Sequence, residues 1–407
     1  MALIGRGRTL VLKARKGVVG VPILAGLVSL QAYGSAPLEG EAQTTQASVV
    51  RSSQEKGGVD ATGPYEPVAA WPQKLHQGWT WGRVAGIFAE TPDRIFIFQS
   101  GEYTELPPED AKDDSVNSNG RWGHIPKRYR GFILTGPRAG QDEQPRWEHC
   151  LIVVNRDGKL IEAWTPHDKL FARPHKVKIN PYDPQKHVWL IEDGAHQIFK
   201  FTNDGKLVQT WGEARVPGND ERHFNRPTDI AWLPDGTFFV SDGYNNTRVL
   251  KFDKDGKFLM TWGTPGTGPG QFDTPHSIAV GHDRRVYVAD RSNHRIQIFD
   301  ENGKYLDEWP NIPLPYTIYM SDDDHLWVGD GWMHRILKYD LNGRLLDYWG
   351  TFGNFAGGIW GPHQISADSE GNLYIAQVYN SRPSKFRPRA GADRARVMGQ
   401  EIGFGRR

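Results

Sequence analysis

The 407-residue sequence predicts an all-β protein, a six-bladed β-propeller. Residues 226–262 and 274–309 are near-copies of each other, and each contains four short apolar or alternating runs separated by Gly, Asn, Asp or Pro. Such runs are typical of antiparallel strands. A closing tryptophan recurs at intervals of 47, 51, 47 and 40 residues, and a proline precedes the first run of each unit. Four strands at this period are typical of a propeller blade. The closing tryptophans are Trp164, Trp211, Trp262, Trp309 and Trp349, and the leading prolines are Pro174, Pro227, Pro275, Pro315 and Pro362.

The first and last units depart from the repeat. The first begins near Val84 and is interrupted by residues 101–149, an insertion that is long enough for a lid but equally compatible with a solvated loop. The last unit has only three evident strands. We expect the segment that ends in Trp81-Gly82 to complete it, since closing the ring removes exposed strand edges. The propeller is predicted to span residues 67–389, followed by a tail over the surface at 390–407.

The N-terminus resembles an export signal. Residues 1–36 combine a basic region, an apolar stretch at 17–30 and small residues at 34–36. Residues 37–66 have the composition of a disordered linker. We therefore expect an exported protein, periplasmic or secreted, that meets a membrane only through an uncleaved signal segment.

Composition excludes several functions. The formal net charge of +1 gives no reason to expect a nucleic-acid partner. Cys150 is the only cysteine, so the chain contains neither an intramolecular disulfide nor a cysteine-based metal site.

Histidine occupies alternate units at one matched position, the residue after the leading proline. From the first unit to the sixth, that position holds Ala85, His175, Thr228, His276, Tyr316 and His363. First strands line the channel of a propeller, so alternate blades place three imidazoles about 120° apart around its axis. Three neutral imidazoles with an open fourth position are typical of catalytic zinc, although copper, nickel and iron also bind imidazole. The alternative is three separately hydrogen-bonded histidines.

The ends of the second strands supply neighbours for this ring. Tyr244 is a candidate general base if a metal and a cation stabilise its ionised form, and Arg291 is a candidate for that cation or for a partner of a substrate carboxylate. Both could instead be rim residues that hold turns. Possible supporting residues are Arg173, His223, Thr228, Tyr316 and Gln364. The recurring Asp193, Asp242, Asp290 and Asp330, with Arg248, Arg295 and Arg335, are expected to hold turns, and the closing tryptophans to pack between blades.

The chain resembles a known family at these residues. The repeats are similar to NHL repeats, and the combined motifs resemble peptidyl-α-hydroxyglycine α-amidating lyase over residues 82–385. The motifs are Pro174-His175, Arg222-His-Phe-Asn-Arg-Pro-Thr-Asp229, Val240-Ser-Asp-Gly-Tyr244, Gly270-Gln-Phe-Asp-Thr-Pro-His-Ser-Ile278, Val288-Ala-Asp-Arg291 and Pro362-His363. The resemblance implies zinc bound by the three histidines, functional roles for Tyr244 and Arg291, and cleavage of a C-terminal hydroxyglycine to a peptide amide and glyoxylate.

The sequence also departs from that family. The family has a functional arginine at the end of the second strand of blade one, where this chain has Ser100, and Arg83 or Arg173 could replace it from nearby loops. An aspartate that binds structural calcium is replaced by Gln364, so calcium is doubtful, and the family's disulfide cysteines are missing. These differences leave the acyl part of the substrate undefined.

Three functions fit these observations. The first is a zinc lyase acting on a small-molecule or peptide substrate with a hydroxyglycine-like end. The second is a lactonase-like metal-dependent hydrolase, in which an activated water is the nucleophile. The third is a non-catalytic NHL-repeat binding module, because fold alone does not decide function.

Overall fold

The computed structural model describes residues 60–104 and 145–404, and within them it has the predicted architecture. Six four-stranded antiparallel sheets form a ring in which the first strand of each sheet contacts the first strands of its two neighbours. The strands are given from the channel outwards. Blade one consists of Val84–Thr91, Arg94–Gln99, Leu151–Val154 and Leu160–Ala163, and blade two of Pro174–Ile179, Val188–Glu192, Gln197–Phe201 and Leu207–Trp211. Blade three consists of Pro227–Trp232, Phe238–Asp242, Arg248–Phe252 and Phe258–Trp262, and blade four of Pro275–Val280, Val286–Asp290, Arg295–Phe299 and Tyr305–Trp309. Blade five consists of Pro315–Ser321, His325–Asp330, Arg335–Tyr339 and Leu345–Trp349, and blade six of Pro362–Ala367, Leu373–Gln377, Arg382–Pro388 and Tyr65–Pro67.

Short elements lie outside the blades. Trp79–Trp81, Glu102–Thr104 and Pro145–Arg146 form a small three-stranded sheet at the base of the insertion, and Thr264–Pro265 pairs with Gln271–Phe272. Short 3-10 helices span Thr165–Leu170, Arg291–Asn293 and Arg394–Arg396. Among the described residues, the helices are all too short or too polar to cross a bilayer. The centre of the insertion, at 105–144, lies outside the described residues.

The ring is closed by a different strand from the one predicted. Tyr65–Pro67 pairs with Arg382–Pro388, whereas Trp79–Trp81 pairs with the base of the insertion. Tyr65 is fully buried 5.4 Å from the Trp349 ring, and its hydroxyl accepts a hydrogen bond from the Met398 amide at 2.7 Å. The strand is only three residues long and ends in proline, so it gives no alternating pattern that a sequence could reveal.

This closure also moves the boundary of the predicted linker. Residues 60–66 of the predicted linker 37–66 belong to the propeller, and Thr62 and Tyr65 within them are buried. The remainder of the linker, 37–59, and the predicted signal peptide, 1–36, lie outside the described residues.

The C-terminal segment is not a tail over the surface. Met398 is fully buried, and the amide of Ile402 donates to the carbonyl of Met320 in the first strand of blade five. The Glu401 carboxylate lies 3.5 Å from the ammonium of Lys178, which comes from the first strand of blade two. Residues 397–404 therefore pack against the propeller, and the prediction of a surface tail was wrong for them, whereas residues 390–396 are mostly exposed.

The closing tryptophans pack between blades, as predicted. Four of them cover a glycine in the turn between the third and fourth strands of the next blade, and Trp349 covers Gly63, which precedes the closing strand of blade six. A Cβ added to Gly256 would lie 2.5 Å from the Trp211 ring, and one added to Gly303 would lie 2.7 Å from the Trp262 ring. Both glycines have φ near 87° and 77°, a left-handed conformation that glycine adopts without strain. The Trp–Gly contact thus links neighbouring blades along the ring.

Candidate metal centre

Three histidines converge on the channel axis because each lies in a local irregularity of its strand pairing. In blade four, Pro275 pairs with Asp290 and Ser277 with Ala289, so His276 between them is skipped. His175 and His363 are skipped in the same way in blades two and six. A residue bulged out of the ladder is free to turn its side chain away from the sheet.

The three imidazoles form a compact, buried group. Their ring centroids are 4.5 to 5.1 Å apart, and their candidate ligand nitrogens all lie within 4.8 Å of one another. His175 and His276 are 0% exposed and His363 is 1% exposed. The alternating pattern in the sequence therefore corresponds to one three-histidine site.

Two of the three rings have a defined tautomer. His276 Nδ1 donates to the Tyr316 carbonyl at 2.6 Å, and His363 Nδ1 donates to the Ala85 carbonyl at 2.8 Å. Burial lowers the pKa of all three histidines well below its ordinary value, reinforced by neighbouring imidazoles at His175 and His276 and by cationic side chains at all three. A neutral ring that donates from Nδ1 carries its lone pair on Nε2. The described residues offer no hydrogen-bond partner to His363 Nε2.

Tyr244 lies directly against this group. Its hydroxyl is 3.1 Å from His175 Nε2 and 2.9 Å from His276 Nε2. The residue follows the second strand of blade three, and its backbone amide donates to the carbonyl of Arg226. The phenol oxygen is thus held where a substrate above the imidazoles would meet it.

Guanidinium groups surround the Tyr244 ring. The central carbon atoms of Arg226, Arg291 and Arg173 lie 4.4, 5.3 and 5.4 Å from the ring centroid. Cationic groups at this distance from an aromatic ring are attracted to it. Sequence reasoning missed Arg226, although its position immediately before a leading proline matches that of Arg173 in blade two.

The sequence analysis placed the recurring acidic residue of blade two one position too far along the chain, at Asp193. Strand register places Glu192, not Asp193, opposite the leading proline, where blades three and four have Asp242 and Asp290. Glu192 holds the turn by accepting from the backbone amides of residues 172, 173 and 195, as predicted for the aspartates. Asp193 instead faces the site, with Oδ2 4.0 Å from His175 Nε2. It also pairs with Arg226 at 3.3 Å.

The other predicted supporting residues divide into two groups. Thr228 and Tyr316 hold the site, because the Thr228 hydroxyl contacts the Pro275 carbonyl at 2.7 Å and the Tyr316 ring stacks 5.4 Å from His276. His223 has different neighbours and does not belong to the three-histidine site. It lies on the loop before blade three, where Nδ1 contacts the Asp220 carboxylate at 2.9 Å.

A polar layer closes the channel below the histidines. Lys176 is fully buried, and its ammonium lies 3.2 Å from Asp229, 3.2 Å from Ser277 and 3.1 Å from Thr317. In the same layer, the Gln364 amide accepts from two backbone amides and donates to the Val177 carbonyl. The Gln364 side chain thus links the backbones of blades one and two.

A second group of possible metal ligands lies at the base of the insertion. His76, Glu102 and His149 bring suitable atoms within 4.8 Å of one another. However, Arg146 Nη2 lies 2.7 Å from the Glu102 carboxylate and 3.1 Å from His76 Nδ1. Arg146 keeps its positive charge, so it occupies the carboxylate that a metal ion would need. His76, Glu102 and His149 therefore belong to an ion-paired network that holds the small sheet together.

Together these features define a class: a six-bladed propeller of NHL-type repeats with a buried three-histidine site on its axis. A family model described as a 6-bladed beta-propeller matches residues 218–327. The peptidyl-glycine alpha-amidating monooxygenase of Mus musculus is 31% identical over 258 residues, which cover 60% of this chain and 24% of the relative. The probable peptidyl-alpha-hydroxyglycine alpha-amidating lyase of Caenorhabditis elegans is 37% identical over 153 residues, or 37% of this chain and 42% of the relative.

These matches agree with the resemblance that the motifs indicate: 37–60% of the chain is similar in sequence to proteins named as peptidyl-glycine α-amidating monooxygenase or peptidyl-α-hydroxyglycine α-amidating lyase. The human NHL repeat-containing protein 3 is also similar, at 30% identity over 44% of this chain and 52% of the relative. The chain thus spans between a quarter and about half of the length of the relatives it matches.

Proposed function

We propose that this protein is a zinc-dependent lyase that cleaves the C–N bond of a carbinolamide, N–CH(OH)–COO⁻, such as a peptidyl-α-hydroxyglycine. The products are an amide and glyoxylate. The observation that carries the proposal is the contact between Tyr244 and the buried histidines, with its hydroxyl within 3.1 Å of two imidazole nitrogens. A turn residue at the rim would have no reason to be held there.

The three histidines fit a zinc ion. His276 and His363 present lone pairs towards the axis because their Nδ1 atoms donate to carbonyls, and the remaining nitrogen of His363 is a buried acceptor without a partner among the described residues. Zinc held by His175, His276 and His363 would supply Lewis-acid polarisation of substrate oxygen atoms.

The protein's own residues account for the proton transfer. In its ionised form, Tyr244 accepts the proton of the carbinol hydroxyl. The O–H electron pair then becomes the carbonyl bond of glyoxylate, and the C–N electron pair moves to nitrogen, which takes up the proton now held by Tyr244 to give the amide. The reaction needs no oxidant or reductant. The Arg291 guanidinium, 5.3 Å from the Tyr244 ring, places positive charge beside the site where the negative charge of the reacting oxygen develops.

The first experiment measures metal in wild-type protein, in His276→Ala and in a control, His282→Ala. His282 pairs with Asp324 at 2.7 Å, outside the three-histidine site. We expect about one zinc per chain in the wild type and the control, and loss in His276→Ala, as for a site with three protein ligands. Glyoxylate release from N-benzoyl-α-hydroxyglycine should follow the same order.

Other outcomes separate the alternatives. Protein that takes up no metal even after zinc is added would overturn the lyase and favour a binding module. Metal uptake with hydrolysis of a lactone, but without release of glyoxylate, would instead identify a metal-dependent hydrolase.

We also propose that the protein is exported after removal of residues 1–36, on the evidence of the basic, apolar and small residues that follow one another there. The intact mass of protein expressed from the full sequence tests this. A mature N-terminus at residue 37 supports export, and an uncut chain contradicts it.

A further inference from the structure

The described loops at the mouth of the channel differ in charge from one side to the other. On the side of blades two to four, Arg173 and Arg226 are paired with Asp193, and Arg291 lies beside Tyr244. On the side of blades five and six, four connections contain no Asp, Glu, Lys or Arg, although 24% of the whole chain is charged. These connections are residues 310–314, 331–334, 350–361 and 378–381. A substrate at the histidines therefore has an uncharged surface on one side of it.

An apolar wall leads from the histidines towards this uncharged side. The Tyr316 ring stacks 5.4 Å from the ring of His276. Tyr379 lies beside it, with ring centroids 5.9 Å apart and the two hydroxyl groups in contact. Leu314 and Val378 pack in the same cluster. On this side, the surface next to the metal ligands is thus aromatic and aliphatic.

Two glycines bring the outer loops against the wall. A Cβ added to Gly331 would lie 2.7 Å from the Tyr316 ring, and one added to Gly361 would lie 2.5 Å from the Tyr379 ring. Gly331 directly precedes Trp332. The loops of blades five and six are therefore continuous with the wall of the site, because only a residue without a side chain fits at these two contacts.

Large apolar side chains are exposed on these loops. Four of them are between 43% and 60% exposed, and together we call them the apolar rim. The apolar rim consists of Trp332, Met333, Phe352 and Phe355. Phe352 links the two loops, because its ring lies 5.0 Å from the His334 ring and 5.1 Å from the Trp360 ring. Apolar side chains exposed together beside a site indicate a surface that a ligand covers.

The proposed substrate has one end fixed at the histidines. Its hydroxyl and carboxylate belong at the metal and at Tyr244, so the acyl group on its nitrogen extends away from them across the mouth. An apolar acyl group placed over Arg173, Asp193 and Arg226 would remove water from charged groups, which costs free energy. Over Tyr316 and the apolar rim, the same group would leave water for apolar surface, which is favourable.

We propose that the apolar rim binds the acyl group of the substrate, and that the protein prefers N-acyl-α-hydroxyglycines with a long alkyl chain. This inference rests on the proposed lyase function and specifies the part of the substrate that does not react. Each CH₂ group moved from water to an apolar surface favours binding about fourfold. Six CH₂ groups that bury about half of their surface on an open rim therefore favour binding ~10- to 100-fold.

Binding without turnover tests the proposal. The probes are N-acetylglycine and N-octanoylglycine, which lack the reacting hydroxyl and differ by six CH₂ groups. Calorimetric titration of full-chain protein supplied with zinc would compare wild type, Trp332→Gln, Phe355→Gln, the double variant and the control Leu259→Gln. Leu259 is a matched control because it is 47% exposed and lies on the outer strand of blade three.

We expect wild type to bind N-octanoylglycine ~10- to 100-fold more tightly than N-acetylglycine, and the double variant to lose ~3- to 10-fold of this ratio. The affinity for N-acetylglycine should not change, which shows that the three-histidine site is intact. Leu259→Gln should keep the wild-type ratio. Should the double variant not fold, each single variant still has to lower the ratio.

Equal binding of the two probes by wild type, or binding of neither, would overturn the inference. So would a ratio that stays unchanged in every rim variant. Sedimentation distinguishes another occupant of the rim. Self-association that Trp332→Gln abolishes, without a preference for the longer chain, would assign the rim to a second copy of the protein and overturn the acyl site.

Failure of the lyase gives a different result. A chain-length preference that the rim variants lose, with no glyoxylate from N-octanoyl-α-hydroxyglycine, would support the acyl site and reject the reaction. Equal kcat/KM for N-acetyl- and N-octanoyl-α-hydroxyglycine would support the reaction and reject the acyl site.

Discussion

Replacing Tyr244 with phenylalanine removes one oxygen atom from the site and little else. That oxygen lies 3.1 and 2.9 Å from the Nε2 atoms of His175 and His276, while the ring packs among three guanidinium groups that phenylalanine would still contact. If the phenol accepts the carbinol proton, kcat should fall at least ~10²-fold, the lower range for general base catalysis. That factor corresponds to about 2.7 kcal/mol of transition-state stabilisation.

The assay is steady-state release of glyoxylate from N-benzoyl-α-hydroxyglycine by zinc-loaded wild type, Tyr244→Phe and Tyr348→Phe. Tyr348 is a control, since it is 48% exposed on the outer strand of blade five. Zinc content should stay at one per chain in Tyr244→Phe, because the imidazole ligands are unchanged. A kcat equal to that of wild type, with zinc in place, would refute the role of Tyr244 as a base.

Two further predictions concern stability and do not depend on the reaction. In Gly256→Ala the new Cβ would meet the Trp211 ring at 2.5 Å, and overpacking of this kind costs about 1–3 kcal/mol. Gly391 has a similar positive φ, but a Cβ added there would meet no neighbouring atom, so Gly391→Ala is the control. Chemical denaturation should show a larger loss of unfolding free energy in Gly256→Ala than in Gly391→Ala. Equal losses would contradict the packing of Trp211 on Gly256. Burial lowers the pKa of His334 to about 4, and its Nδ1 accepts from the Gly361 amide, so the folded state favours the neutral ring. The stabilisation by the neutral ring is complete above the unfolded pKa near 6.5 and is lost as pH falls towards 4, by roughly 3 kcal/mol. The difference in unfolding free energy between wild type and His334→Asn should therefore change across that pH range. A difference that is independent of pH would refute this prediction.

The propeller was predictable because each blade requires the same types of residue at the same positions. A blade cannot bury its faces alone, so blades two to five each repeat the alternating strands, the turn glycine and the covering tryptophan. The ring of histidines was predictable for the same reason, since one matched position per blade maps onto one level of the channel. The six-fold repeat alone was enough to predict that the three histidines lie at one level of the channel.

Errors arose where the repeat is interrupted or shifted by one residue. Asp193 was aligned with the turn aspartates, but the pairing of Glu192 with Pro174 shows that it faces the site. Side chains alternate between faces of a strand, so a shift of one residue changes which surface a side chain reaches. The closing strand at Tyr65–Pro67 was missed because three residues carry no periodicity.

The sequence alone determined the number of blades, the position of the three histidines and the presence of Tyr244 and Arg291 at matching strand ends. Only the tertiary structure decided which charges pair there. Arg173 and Arg226 belong to different blades, yet the fold brings both guanidinium groups to within 3.4 Å of the Asp193 carboxylate. Charge pairing depends on distances between different blades, and a repeat pattern describes each blade only by itself.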